Sequence, residues 1–492
     1  MMSLMLILLY YYHFEKQGLK NEKPLPLIGN SFWILTGDVV RQINRSYWMF
    51  PKEKVVGFFQ FLQPGYLLRS PELIKPLTIK DYSYFQDHVA FVNAKVDDIF
   101  GNILFSMRDK QWRDMRSTLS PLFTGSKMRL MFDLIIKCSE QMCEYLQDEY
   151  DKNGPIAYPV KNLFSKYTND VIATCAFGVE VNSFKYPNNE IYKIGQIILG
   201  GQTRTQAIKF LLMKAFPKIA KLLRENIHRP DLLQLLMKLK EGELPTKKEL
   251  DEIDVENKLI NGEFKRNWTD DELMAQCFIF FLAGFDTTSR VLSFCSYELA
   301  ANPDLQEKLI QEIDEIHENL SGRPLTYEMM TNMKYMDMFI SEVLRMWPPN
   351  IASDRECKET YTYEDEEELK FTVQKGNMIF VPIHELHMDP NYFPNPRNFD
   401  PERFSDNNRR NINLNTYLPF GVGPRNCIGF RFALMQMKTV IYYILLNFRF
   451  IASKETEIPL RIKKSIFGLI PEKEIQLQII PRNEKKMIFD NA

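Results

Sequence analysis

Histidine is scarce in this chain. There are six in 492 residues, with no His-Glu-x-x-His run and no cluster of His with Cys, so a zinc centre has little to build on. Paired cysteines are missing as well: the seven at Cys138, Cys143, Cys175, Cys277, Cys295, Cys357 and Cys427 form no Cys-x-x-Cys, and their odd number fits a reducing compartment rather than a disulfide framework. Neither sign of charge dominates, because 62 basic side chains stand against 63 acidic ones. A nucleic-acid partner recruited by net charge is therefore disfavoured, which leaves only local basic faces to consider. No Gly-x-Gly-x-x-Gly follows a strand pattern, so the chain shows no second, dinucleotide-binding domain. What remains is ordinary globular usage, with 45% hydrophobic and 25% charged residues, enough to bury a large core.

The amino terminus, Met1 to Phe14, is apolar but shorter than the roughly 20 residues that span a bilayer. It lacks the basic leader and the small-residue cleavage site of a secretory signal. A short membrane anchor over residues 1–14 is the expectation, and Lys16, Lys20 and Lys23 just after it hold the body on the cytoplasmic side. Residues 15–30 include Lys23-Pro24-Leu25-Pro26, a stiff and extended connector expected to act as a spacer.

Beyond the connector, short apolar runs broken by Pro51, Gly57, Pro64, Gly65 and Pro71 predict a small sheet with tight turns over residues 46–75. Apolar spacing of three and four predicts helices at 126–149, 160–178, 205–224, 270–300, 303–319 and 327–346. Short strands return at 361–382 and 449–480. No repeat or low-complexity linker interrupts residues 31–492, so the fold class is mainly α with small β-sheets (α+β), in one large domain.

The chemistry concentrates in Phe420-Gly421-Val422-Gly423-Pro424-Arg425-Asn426-Cys427-Ile428-Gly429, followed by an apolar helix over residues 430–446. A cysteine at a helix start meets backbone N–H donors and the positive end of the dipole, which are expected to lower its pKa. The glycines permit positive φ and close approach to a flat ligand. This pattern, Phe-x-x-Gly-x-Arg-x-Cys-x-Gly, suits a thiolate ligand to haem iron, which favours O–O cleavage. A buried free cysteine is the bland alternative, and the five matched positions weigh against it.

On these residues the chain resembles the cytochrome P450 family, from the proline-rich connector to the carboxyl terminus. The resemblance implies a haem-binding fold and carries further residues with it. Glu342 and Arg345, an i, i+3 pair, would join Arg403 of Pro401-Glu402-Arg403-Phe404 in a buried structural network. Ala283-Gly284-Phe285-Asp286-Thr287-Thr288 matches the family's oxygen-binding groove, in which Gly284 and an opened helix leave room for dioxygen while Asp286 and Thr287 relay protons. The bland reading of those hydroxyls is back-bonding to the helix's own carbonyls. Trp112 and Arg116 of Trp-x-x-x-Arg, with Arg425 and Arg355, would hold the haem propionates, and Phe420 opens the cysteine loop.

The family also implies partners. Arg108, Lys110, Arg113, Lys127 and Arg129 make a basic face suited to NADPH-cytochrome P450 reductase, with cytochrome b5 as a further electron donor. The expected activity is monooxygenation of a lipophilic substrate at the cytoplasmic face of the endoplasmic reticulum membrane. Substrate contacts are expected at residues 88–105, the 190s to 220s, 278–283, 350–353 and 466–470, all rich in apolar side chains. Met115 to Thr124 and His228-Arg229-Pro230-Asp231 resemble insect microsomal members that oxidise foreign compounds. The connection from Pro217 to His228 is shorter than the family's usual one. That shortening makes a haem protein that binds ligand without turnover an alternative, and a haem-thiolate isomerase or dehydratase that needs no reductase is another.

Overall fold

Phe14 ends the amino-terminal apolar run inside the protein. The computed structural model of the chain describes residues 12–89, 97–200, 268–466 and 468–482. Within it Phe14 is fully buried, edge-on to Phe59 and Tyr66 at 5.0 and 5.2 Å. The connector behind it is not a free-standing spacer. The Gly57 N–H donates to the Lys20 carbonyl at 2.9 Å, and the Phe59 N–H donates to the Asn30 side chain at 2.7 Å, so residues 15–30 cover the edge of a sheet. An open strand edge leaves backbone groups unpaired, and this segment, which turns back on itself between Leu25 and Gly29, satisfies some of those of β1. The expected segment up to residue 11, the helix expected at 205–224 and the connection from Pro217 to His228 lie outside the described residues.

Nine longer helices carry the fold: α1 (Val39–Trp48), α2 (Asp109–Leu119), α3 (Gly125–Asn153), α4 (Val160–Phe177), α5 (Glu190–Gly200), α6 (Asp270–Ala301), α7 (Pro303–Leu320), α8 (Lys334–Met346) and α9 (Phe430–Asn447), counted among the described residues. The strands are β1 (Val55–Gln60), β2 (Gln63–Leu68), β3 (Ala157–Pro159), β4 (Ser353–Glu356), β5 (Tyr361–Glu364), β6 (Lys370–Val373), β7 (Met378–Val381), β8 (Phe448–Ala452) and β9 (Gln476–Pro481). They form sheets of order β1-β2-β7-β4, β3-β9-β8 and β5-β6, with β2 and β7 parallel. The helix expected over residues 327–346 is two, Tyr327–Thr331 and α8. Glu312 of α7 explains the break, because its carboxylate accepts the N–H groups of Tyr335 and Met336 at 2.7 and 2.9 Å and so starts a new helix there.

Helix α6 organises the core. Thr269 and Glu272 form a capping box at its start, and 32 residues give it a length of ~48 Å. It is long and apolar enough to cross a membrane by length and composition, yet its second half is buried against neighbouring helices. Gly284 lets α4 approach, since a Cβ there would come within 2.5 Å of Ile172. One apolar cluster joins α3, α4, α6, α8 and α9, and a second lies over the first sheet. A small third one, Leu104, Met107, Trp112, Met115 and Leu119, packs beside Ile428 of the cysteine loop.

Candidate active site

The cysteine loop is shaped by two glycines with positive φ, Gly421 at 80° and Gly423 at 70°. At Gly423 nothing larger fits, because a Cβ would stand 2.4 Å from the Thr78 carbonyl. The Cys427 N–H donates to the Phe420 carbonyl at 2.8 Å, closing the loop just before α9 begins at Phe430. Cys427 is the one exposed cysteine of the seven, whereas Cys175 and Cys277 are half-buried and the other four are buried. Burial pushes its thiol pKa up, with the Gly429 N–H and the Arg116 charge only partly opposing. The direction is opposite to the one expected of a helix start, and α9 begins three residues later, at Phe430.

Buried arginines converge on the same loop. Arg116 donates to the Asn426 carbonyl at 2.9 Å and to its side-chain oxygen at 2.7 Å, next to Cys427. Arg355 of β4 donates to the Val422 carbonyl at 3.1 Å and to neutral groups of Ser353 and Asp354. Arg425 stacks on Trp112 at 4.0 Å and donates to Asp87 at 2.7 Å and to the carbonyls of Gln86, Leu104 and Met107. Burial lowers the pKa of Arg425 to about 9 and that of Arg355 to about 10. Most donors of Arg425 are thus taken up in strapping residues 86–107 to the loop, which makes it a strut as well as an anion partner. Guanidinium donors beside an accessible thiol suit a flat cofactor that carries carboxylates.

Behind the loop lies the predicted ion network, intact. Arg345 binds Glu342 through two parallel bonds of 2.7 and 2.8 Å, and both side chains are fully buried. Arg403 adds a third contact at 3.3 Å, and the Asp400 N–H donates to the same carboxylate at 2.9 Å.

Three expectations for α6 change. The helix runs unbroken through Gly284, where a Cβ would meet the Ile172 side chain of α4. The Thr287 hydroxyl donates to the Ala283 carbonyl at 2.7 Å, the back-bond of the bland reading. Asp286 does not share Thr287's face, since successive helical residues point about 100° apart. Its carboxylate pairs with Arg290 and with Lys161 of α4, the latter at 3.0 Å. Burial pushes its pKa up, but the Arg290 and Lys161 charges prevail and hold it below the usual carboxylate range. Asp286 lines a cavity of about 490 Å³ with Lys161, Tyr192, Arg290, Lys463 and Glu472, and neither Thr287 nor Cys427 is in that lining.

The basic face is partly neutralised. Arg108 pairs with Glu356 at 2.6 Å, Arg129 with Glu328 at 2.5 Å, and Arg113 bonds Gln86 at 2.6 Å. Of the expected substrate segments, residues 90–96, 201–267 and 467 lie outside the described residues, as does His228-Arg229-Pro230-Asp231. In the rest, Phe100 stands edge-on to Phe278 at 5.1 Å, and Phe105 stacks on His88 at 4.1 Å. Sequence reasoning missed Asp87, Lys161 and His387. Each acts on a residue more than 40 positions away, and no local pattern marks them.

The cytochrome P450 family profile matches residues 19–479. Similar proteins include Cytochrome P450 9e2 of Blattella germanica, 40% identical over 93% of this chain and 91% of its own length. Probable cytochrome P450 9f2 of Drosophila melanogaster is 38% identical over 96% of this chain and 95% of its own, and Cytochrome P450 9b2 of the same species 39% over 95% and 94%. With this coverage added to the cysteine loop and its buried arginines, the chain belongs to the cytochrome P450 family and is a haem-binding monooxygenase.

Proposed function

We propose that the protein inserts one atom of dioxygen into a lipophilic foreign compound or endogenous lipid, with electrons from NADPH delivered by a separate reductase. The accessible thiol of Cys427, enclosed among buried arginines, is the observation that carries this reading. Cys427 would hold the haem iron through its sulfur. Trp112, Arg116, Arg355 and Arg425 hold the propionate side, Phe420 closes the loop, and Glu342, Arg345 and Arg403 brace it from behind. Haem bound there supplies activation of dioxygen, favoured by thiolate donation.

The chain's own part is to hold the ligand, exclude water and move protons. Thr287 would offer its hydroxyl as a proton donor, giving up its bond to the Ala283 carbonyl when it does so. Asp286 passes protons from the polar cavity behind α6, and release from Lys161 frees it to do so. Apolar contact through Phe100, Phe105 and Phe278 orients the substrate. Electrons enter by the basic face, where Lys110, Lys127 and the partly paired arginines meet an acidic reductase domain or cytochrome b5. A short apolar anchor before Phe14 keeps the protein on the cytoplasmic face of the endoplasmic reticulum.

Purified protein with NADPH, reductase and a panel of lipophilic compounds tests this reading. Product that depends on both NADPH and reductase is expected. Turnover of an oxygenated lipid without reductase would instead identify an isomerase or dehydratase, and ligand-induced spectral shifts without product would identify a binding protein.

A further inference from the structure

His387 touches the buried brace and the cysteine loop at once. It ends the short helix Ile383–His387 and has no exposed surface. Its Nδ1 lies 3.0 Å from the Arg345 carbonyl, and its Nε2 lies 2.8 Å from the Leu418 backbone nitrogen. A carbonyl cannot donate and an N–H cannot accept. Both bonds therefore form only in the tautomer with the proton on Nδ1 and a lone pair on Nε2. Tyr417 stacks on the ring at 5.5 Å and 27°, Phe393 meets it edge-on at 6.2 Å, and the Tyr417 hydroxyl is itself tied to the Ser341 carbonyl at 3.0 Å.

The path continues past Leu418. The Leu418 carbonyl accepts the Gly421 N–H at 3.0 Å, and the Phe420 carbonyl accepts the Cys427 N–H at 2.8 Å. Burial and then the Arg345 charge push the ring's pKa down to about 3, so the lone pair on Nε2 is retained at neutral pH. A core histidine that merely filled space would not need a particular nitrogen at a particular end.

We propose that His387 is a positioning residue for haem ligation: by accepting the Leu418 N–H it fixes the entry of the cysteine loop and so sets how firmly Cys427 holds the iron. This rests on the reading of Cys427 as the iron ligand.

Two variants separate the two ends of the ring. In His387→Asn the side-chain amide reaches the Nδ1 position and can donate to the Arg345 carbonyl, but nothing accepts the Leu418 N–H. In His387→Gln the amide oxygen reaches the Nε2 position and can accept it. The readout is the reduced, carbon monoxide-bound spectrum at equal haem content, followed during mild warming. Conversion from the thiolate band to the non-thiolate band should be about tenfold faster in His387→Asn than in wild type, as one lost hydrogen bond implies, and near the wild-type rate in His387→Gln. A wild-type rate in His387→Asn, or equal acceleration in both variants, would overturn the proposal. Nitrogen NMR of the ring in wild-type protein needs no variant: the Nδ1–H tautomer is expected, and the Nε2–H tautomer would overturn it. A wild-type protein with no thiolate band would overturn the assignment of Cys427 and this inference together, whereas the outcomes above concern His387 alone.

Discussion

Arg116 grips Asn426, the residue before Cys427, with both terminal guanidinium nitrogens, at 2.9 and 2.7 Å. Helix α2 and the cysteine loop are thereby joined through a side chain that is 3% exposed. Charge-assisted hydrogen bonds of this kind contribute about 1.5–3 kcal/mol each, so Arg116→Ala should lower stability by about 3 kcal/mol. Arg116→Lys, which cannot make the two-pronged contact, should recover only part of it. Denaturant unfolding and haem retention on a sizing column check both.

Glu342 is the single carboxylate between Arg345 and Arg403 in the brace. Its removal would leave the fully buried Arg345 charge uncompensated, and breaking a buried pair in this way costs about 3–5 kcal/mol. Glu342→Ala should therefore accumulate little haem-loaded protein, whereas Arg403→Ala, which removes a 12% exposed partner, should fold with a smaller loss. The two thermal unfolding midpoints give the comparison, and equal losses would contradict the ranking.

Asp286 and Thr287 serve different faces of α6, and their variants should differ accordingly. Thr287→Ala should keep the haem spectrum and divert reducing equivalents from product to peroxide or water. Lys161→Met removes one of the two cations that hold the Asp286 pKa down, so that pKa should rise. The acid limb of coupled turnover should move to higher pH in Lys161→Met and stay in place in Thr287→Ala. An unmoved limb in Lys161→Met would remove Asp286 from the proton route.

Two histidines impose an acid limit on stability. Burial lowers the pKa of His88 to about 4 and that of His387 to about 3, against an ordinary value of 6.5. Between those values the unfolded chain binds the extra protons, so the stabilisation is complete above pH 6.5 and is lost as pH falls toward 4 and then 3. Glu298 and Asp170, raised by burial to about 7 and about 6, act in the opposite sense. The difference between wild type and His387→Gln isolates one histidine. That difference should shrink as pH is lowered from neutral to about 4.5 in urea unfolding, and a constant difference would contradict a neutral His387.

Much of this site is local in the chain, and that part was legible. Phe420 to Gly429 holds the cysteine and both shaping glycines within one loop, and Glu342 lies one helical turn from Arg345. The three- and four-residue apolar spacing of α3, α4 and α6 was legible for the same reason. Relationships across long loops were not. Asp87 meets Arg425 from 338 residues away, and Lys161 meets Asp286 from 125. The approach of Ile172 to Gly284 is not legible either, because a glycine in a helix does not announce which face is crowded. The prolines of the connector imply extended backbone, whereas the segment turns back between Leu25 and Gly29 and lies along a strand edge. Phe14 and Asn30 show that it covers one.

The central claim is that Cys427 holds the haem iron through its sulfur. The reduced, carbon monoxide-bound absorption spectrum of wild type beside Cys427→Ser tests it most directly. The wild-type protein should show the red-shifted Soret band of thiolate ligation, and Cys427→Ser should lack it while keeping the helical circular dichroism of the fold. A wild-type spectrum without that band, or a band that survives in Cys427→Ser, would contradict the account.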